Sequence, residues 1–412
     1  MSERQWKRLE VIRAIDAGRF TVAEAATALG LSERQVYRIR DDVAVWGRGG
    51  VHHGNRGCPP ANRVADEVRR RVVELFRGKY AGFNDTHFTE KLVEVEGVAI
   101  SRATVQRVLR EAGLGAVRKR RPPKHRRRRD RKARAGMMML WDGSHHAWLE
   151  DRGPMLSLMG AIDDATGEFL PGAHFVEQEC AAGYLTVLRE TARHKGLPLS
   201  AYMDRHGSLR RNDDKWTLEE ELRGKQDPTH VGRALDALGI EVIFALSPQA
   251  KGRVERLWGT LQDRLVSELR LVSARTAAEA NAVLERFRGE FNRKFAVAAS
   301  EAESAWRPAR KLDLDRICAF HYEATVLNDN TVRLSGVVID VPPGPRARSY
   351  AHARVEVRQV LDGSWRVYHG DTLIAQAAAT ETGELRAKQR RKRSAASRGF
   401  RSAVSKIAVS LP

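Results

Sequence analysis

Three acidic residues stand where this sequence could do chemistry. Asp142 follows the apolar run Met137–Trp141, Asp204 follows Leu199–Met203, and Glu255 lies one turn into a helical stretch that opens after Pro248. Carboxylate oxygens suit a hard cation such as Mg²⁺, which keeps several waters and needs only two or three protein ligands. In a chain of net charge +20, an acidic cluster repels nucleic acid unless a divalent metal inverts its sign. The combination predicts two Mg²⁺ ions, with Mn²⁺ able to substitute, and cleavage of a phosphodiester. Two metals roughly 3.5–4 Å apart activate a nucleophile, neutralise phosphoryl charge and assist the leaving oxygen. Asp142 is expected to bridge both ions, with Asp204 on one and Glu255 on the other. The chain has 52 acidic residues, so the competing reading makes these three ordinary caps or surface charges. Asp163 and Asp164 are assigned to a turn on that ground.

The elements that must position the triad follow from the pattern around it. Apolar runs at Met137–Trp141 and Met155–Ile162 read as strands, and Glu168–Val176 as a third. A helix over 179–194, the strand Leu199–Met203, a helix over 229–238, the strand Glu241–Ala245 and a long helix from about Lys251 follow. This β-β-β-α-β-α-β-α order predicts a mixed sheet with helices on both faces. A polar insertion, 210–228, separates Asp204 from the next helix, and its consecutive Glu219, Glu220 and Glu221 are expected to be a solvated helix face.

Charge is localised. Residues 118–134 carry twelve Lys/Arg and one Asp, residues 386–406 carry nine Lys/Arg and no acid, and together they account for the full +20. Solvated tails are one reading, but such blocks beside folded segments favour contact with phosphates, where counterion release drives binding. Arg126, Arg127, Arg128 and Arg129 are the expected contacts in the first block.

Two helical segments point to the same partner. In residues 4–46, Trp6, Leu9, Val11, Ile12 and Ile15 recur at helical spacing, and Thr21–Glu24 and Ser32–Gln35 match capping boxes around Gly30. This predicts a helix-turn-helix whose second helix presents Arg34, Gln35 and Arg38 to DNA, with Val36 and Ile39 inward. In residues 63–117, Ser101 caps a second recognition helix with Val105, Val108 and Leu109 inward and Arg102, Gln106 and Arg107 outward. A generic helical hairpin is the alternative, but the surplus of Arg and Gln on the outer face favours double-stranded DNA.

The expected organisation is a helix-turn-helix domain (1–46), a glycine-rich linker (47–62), a second helix-turn-helix domain (63–117), a basic linker (118–135), an α/β core (136–300), a small β-barrel (320–376) and a basic disordered tail (377–412). No apolar run reaches 18 residues and no signal region opens the chain. Cys58, Cys180 and Cys318 are too dispersed for a disulfide framework, and His52, His53 and Cys58 do not complete a zinc site. A cytoplasmic, nucleoid-associated bacterial protein without membrane contact is expected.

The motifs Trp141-Asp142-Gly-Ser, Ile162-Asp-Asp-Ala-Thr-Gly167, Met203-Asp204-Arg-His-Gly207 and Ser247-Pro-Gln-Ala-Lys-Gly-Arg-Val-Glu255-Arg-Leu-Trp-Gly-Thr-Leu-Gln262 resemble those of insertion-sequence transposases of the DDE class, ISNCY-type, with a retroviral-integrase-type core. The resemblance covers about residues 5–300. It implies an RNase H-like core, Mg²⁺ dependence, binding to terminal inverted repeats, and a homo-oligomer, at least a dimer, on DNA. It places Lys251 and Arg253 near the scissile phosphate, with a structural role the alternative for Arg256. Two features depart from the family: fifty residues lie between Asp204 and Glu255, a long interval, and Arg205 stands where relatives often have Asn. His206 either orients a metal-bound water or contacts phosphate. The activity expected is strand cleavage exposing a 3′-hydroxyl and its transfer into target DNA. The alternatives are a metal-dependent nuclease of the same fold and an inactive, domesticated DNA-binding regulator.

Overall fold

The structure, a computed structural model, describes residues 1–53, 55–57, 63–115, 129–211, 216–244 and 252–385. The chain divides into two compact units, Met1–Val73 and Glu74–Pro412. Arg126, Arg127, Arg128, Lys251, Cys58 and the tail beyond 385 lie outside the described residues.

The first unit is built from α1 (Glu3–Asp16), α2 (Val22–Leu29) and α3 (Glu33–Trp46). Thr21 and Glu24 form the expected capping box at the start of α2, and Gly30 ends the helix at φ 64°, a left-handed position that glycine takes without strain. Ser32 caps α3 by accepting from the Gln35 N–H at 3.3 Å. The core gathers Val11, Ile12, Ile15, Ala25, Ala26 and Val36. Trp6, at helical spacing with that core, is 46% exposed, and the buried residues of α1 begin at Leu9. Gly47–Val51, expected as loose linker, winds into a 3-10 turn that buries Val51. A Cβ on Gly50 would meet backbone atoms of Asp42 and Val43 at 2.3 Å, so this close approach requires glycine.

Helix α4 (Asp66–Arg77) straddles the division, and α5 (Asp85–Glu94) and α6 (Arg102–Glu111) belong to the second unit. Ser101 caps α6 through the Thr104 N–H, and Val105, Val108 and Leu109 are buried as the periodicity predicts. Phe76 and Phe88 meet edge to face at 5.1 Å.

The core that follows is a five-stranded sheet in the order β3-β2-β1-β4-β5, formed by β1 (Met138–His146), β2 (Leu156–Asp163), β3 (His174–Val176), β4 (Ser200–Met203) and β5 (Glu241–Phe244). The first three strands are antiparallel, and β4 and β5 run parallel to β1. Helix α7 (Ala181–His194) lies between β3 and β4, α8 (Leu218–Arg223) and α9 (His230–Ala237) lie between β4 and β5, and α10 (Gly252–Leu271) and α11 (Ala277–Phe295) follow β5. Met139 and Trp141 share a core with residues of α7 and α9, whereas Met138 and Leu140 share one with α10 and α11. The alternation of side chains along β1 thus divides the two helical layers. Strand β3 is shorter than expected, with Phe169 forming only an isolated bridge to Ile162. In the insertion, Glu219 and Glu221 are exposed, but Glu220 is buried and bound to Arg211 and to the N–H groups of Thr217 and Asp227. The single-sided helix face expected there is therefore divided.

After α12 (Leu314–Ile317) the chain is antiparallel β: β6 (Phe320–Thr325), β7 (Thr331–Leu334), β8 (Val337–Asp340), β9 (Arg354–Gln359), β10 (Trp365–His369) and β11 (Thr372–Ala377). Where a small β-barrel is expected, the hydrogen bonds define a four-stranded sheet, β11-β10-β9-β6, and a β7-β8 ribbon. Both contribute to one core around Val332, Val357, Trp365 and Val367. Among the described residues no helix is long and apolar enough to cross a membrane.

Candidate active site

Strand register relates the two aspartates. Leu140 pairs with Tyr202 across β1 and β4, the last pair of that register, and Asp142 and Asp204 each follow it by two residues, Asp204 just past the end of β4. Neighbouring strands lie about 4.8 Å apart. Asp142 does not end its strand as expected. β1 continues to His146, paired with β2 throughout, because Gly143, Ser144 and the two histidines keep a strand partner although they are not apolar. Both aspartates are half-buried. Asp204 accepts from the His206 N–H at 3.0 Å.

Glu255 sits in the first turn of α10, exposed. Three residues later Trp258 donates its indole N–H to Asp142 Oδ2 at 3.0 Å. Residues three apart share a helix flank, so this bond turns the Glu255 flank toward β1. Val254, Leu257 and Leu261 are buried beside it and hold the helix on the sheet. Among the described residues, no three His, Cys, Asp or Glu side chains approach closely enough to hold a metal ion. Asp142 and Asp204 follow the last paired residues of adjacent parallel strands, and Glu255 stands on the helix that Trp258 ties to Asp142. The donor set of carboxylate oxygens fits a hard divalent cation.

A fourth acid, Glu179, went unnoticed in the sequence. It accepts the Tyr184 hydroxyl hydrogen bond, and its Oε1 lies 3.5 Å from His206 Nδ1. A Cβ on Gly143 would stand 2.7 Å from its Oε2, so the glycine after Asp142 makes room for this carboxylate. Burial, then the charges of Glu179, Asp142 and Asp204, push the Tyr184 hydroxyl far above its ordinary range. Tyr184 is therefore a neutral donor set among acids. The only signal for Glu179 in the sequence is the small residue at 143, which does not identify what fills the space.

The proposed DNA contacts divide by surroundings. Arg34, Gln35 and Arg38 are exposed on α3, and Arg102, Gln106 and Arg107 on α6. Arg129 and Arg253 instead converge on Asp164, whose side chain is fully buried. Asp164 also accepts from the Lys132 N–H at 2.9 Å. Asp163 accepts from Gly136 N–H, Thr166 N–H and the Thr166 hydroxyl. Both residues belong to the fold of the β2 turn, in keeping with their assignment to a turn.

The first helical segment matches a family described as "Winged helix-turn helix", over residues 8–70. Two solved structures align with the chain. The simian T-cell lymphotropic virus intasome, in complex with a PP2A regulatory subunit, is 12% identical and covers 74% of this chain and 99% of its own, with a TM-score of 0.30. The HTLV-2 integrase catalytic core domain with magnesium is 13% identical and covers 40% and 92%, with a TM-score of 0.27. Neither alignment bears on the site. Two relatives align nearly end to end. The putative transposase y4bF of Sinorhizobium fredii is 36% identical over 405 residues, covering 93% of this chain and 85% of the relative. The transposase for insertion sequence IS1202 of Streptococcus pneumoniae is 29% identical over 442 residues, covering 94% and 90%. A helix-turn-helix segment, a mixed-sheet core and relatives matched over most of their length lead to one conclusion: this chain belongs to the insertion-sequence transposase family.

Proposed function

We propose that the chain is a Mg²⁺-dependent DDE transposase with an RNase H-like core, which binds the terminal inverted repeats of its element, cleaves at their ends and joins the exposed 3′-hydroxyl to target DNA. The observation that supports this reading is that Asp142 and Asp204 each lie two residues beyond the Leu140–Tyr202 pair of adjacent parallel strands, beside a helix that bears Glu255 and is bonded to Asp142 through Trp258. Asp142, Asp204 and Glu255 are the proposed catalytic carboxylates and metal ligands. Two bound divalent ions would supply Lewis acidity and an activated water. The chain's own residues orient that chemistry. The Trp258 indole fixes one oxygen of Asp142, the His206 N–H fixes one of Asp204, and the neutral Tyr184 holds Glu179 beside them.

Arg34, Gln35 and Arg38 on α3 and Arg102, Gln106 and Arg107 on α6 are the proposed readers of double-stranded DNA. The basic segment containing Arg126–Arg128, with Lys251, supplies phosphate contacts. The domain limits given above, including the insertion 210–228, are proposed with this reading. Two ends cut in one event require at least two protomers, so a DNA-assembled homo-oligomer is proposed.

A strand-transfer assay with duplexes carrying the ends that bracket the gene tests it. Wild-type protein should cleave and join with Mg²⁺ or Mn²⁺. Asp142→Asn, Asp204→Asn and Glu255→Gln should each lose about a hundredfold or more, as other transition-state stabilisers do. Near-wild-type joining by any of them removes that ligand from the assignment. Cleavage without joining indicates a nuclease, and duplex binding without either indicates a regulator.

A further inference from the structure

Two arginines expected to touch DNA, Arg129 and Arg253, are committed elsewhere. Asp164 lies at the end of β2 with its side chain fully buried, and it receives the guanidiniums of Arg129 and Arg253 together with the Lys132 N–H. Arg253 also donates to the Arg129 carbonyl, and Arg131 donates to the Asp164 and Ala165 carbonyls. A buried carboxylate is costly unless its charge is matched and its oxygens are bonded. Here both conditions are met by the last residues of the basic segment and by the first turn of α10. Arg253 is 19% exposed and Arg129 39%.

The geometry of α10 gives this cluster a consequence for the site. At 3.6 residues per turn, Arg253 and Trp258 stand about 140° apart around the helix. They flank the buried stripe of Val254, Leu257 and Leu261 on opposite sides. Trp258 is bonded to Asp142 at the centre of the sheet, and Arg253 to Asp164 at the end of β2. Apolar packing resists separation of helix and sheet but only weakly resists rolling, and two polar tethers on opposite flanks fix the roll. Glu255 lies on the Trp258 flank, two residues from Arg253.

We propose that Asp164 is a positioning residue: through Arg253 it sets the rotation of α10 and so the place of Glu255, and through Arg129 it makes that placement depend on the basic segment leading into β1. The proposal rests on the transposase reading above. It replaces the DNA contact expected of Arg253 with a contact inside the protein. DNA drawn onto the basic segment then bears on the glutamate without touching it.

The test uses the full-length protein, with duplex cleavage titrated against Mg²⁺, duplex affinity measured separately, and Mn²⁺ binding followed by electron paramagnetic resonance without DNA. Arg253→Ala leaves Asp164 paired with Arg129 and Lys132, so folding is expected to survive, with circular dichroism as the check. Misplacing a catalytic group by about 1 Å costs on the order of a hundredfold in rate. The expected result is a fall in kcat of about that size and a several-fold weaker Mn²⁺ site, with duplex affinity within about twofold of wild type. Arg253→Lys keeps the charge but loses the fork, and should recover only part. Arg129→Ala and Asp164→Asn should move the same readouts in the same direction. Should Asp164→Asn fail to fold, the two arginine variants decide. A drop in duplex affinity of about tenfold or more with unchanged metal titration would make Arg253 a DNA contact and overturn the proposal. Unchanged metal titration in Arg129→Ala overturns its coupling to the basic segment. Wild-type protein without metal-dependent cleavage overturns the transposase reading and the positioning role together. Cleavage by wild type with normal metal dependence in Arg253→Ala overturns the positioning role alone.

Discussion

Replacing Trp258 by Phe keeps an aromatic ring under α10 and removes one donor. The indole N–H is bonded to Asp142 Oδ2, and the ring is 6% exposed. A hydrogen bond to a charged group contributes about 1.5–3 kcal/mol, and Asp142 is only half-buried, so the loss should lie near the lower figure. Unfolding in urea should show a destabilisation of about 1.5 kcal/mol. Single-turnover cleavage should slow more than that figure implies, because the freed carboxylate oxygen no longer holds one orientation toward its ligand. If rate and stability change in proportion, Trp258 is a packing residue and no more. The positions of Asp142 and Asp204 after apolar runs were visible without coordinates. Glu179 was not, because its place depends on Gly143 and Tyr184, which only the folded sheet brings to it.

At the scale of elements, polar and charged side chains join α5 to α10 and α11. Glu90 accepts both arms of the Arg264 guanidinium at 2.7 and 2.8 Å and the Lys294 ammonium at 2.8 Å, while Glu268 pairs with His87 and Lys91. Burial alone would push the Glu90 carboxyl up, but the bonds from Arg264 and Lys294 outweigh it and hold the group at about 2. Glu150 is likewise held at about 2, chiefly by Arg270. A carboxyl lowered from its unfolded value of 4.5 stabilises the fold fully above that pH, and the contribution is lost as pH falls toward about 2. Urea midpoints should therefore decline across that window. Glu90→Gln should cost about 2 kcal/mol near neutrality, at the lower end for charge-assisted bonds because the group is partly exposed, and should flatten the decline. An unchanged acid profile in the variant would assign the transition to other carboxylates.

Sequence pattern served these elements unevenly. The capping residues Thr21, Ser32 and Ser101 are local signals and sit where the pattern puts them. While the order of strands across the sheet came only from their pairing, the order of strands and helices along the core followed from alternation of apolar runs with helical segments. The length of β1 did not, because Gly143–His146 is held by its partner β2 rather than by its own composition. Glu220 was misread for a related reason: three consecutive acids look solvated until Arg211 and the turn N–H groups close over the middle one. Trp6 shows the converse, a periodic apolar position that no neighbour covers.

For the molecule as a whole, the arithmetic of charge yields a salt law. Residues 386–412 contribute nine positive charges and no acid. Truncation after Leu385 should make the dependence of log affinity on log salt shallower, by at most about eight if every charge meets a phosphate. Fluorescence anisotropy with a labelled duplex between low and moderate NaCl measures the slope. A slope unchanged by truncation would exclude the tail from DNA. The contacts of α5 with α10 bear on descent as well. Helix α5 is keyed to α10 and α11 through positions 90, 264 and 294 and through 91 and 268. A graft of residues 63–117 from a relative with a different key would carry its reading of DNA into a core that no longer holds it. Among diverged copies of such an element, these positions should change in concert, and new target preferences should arise by point substitution on the exposed faces of α3 and α6 sooner than by exchange of whole segments.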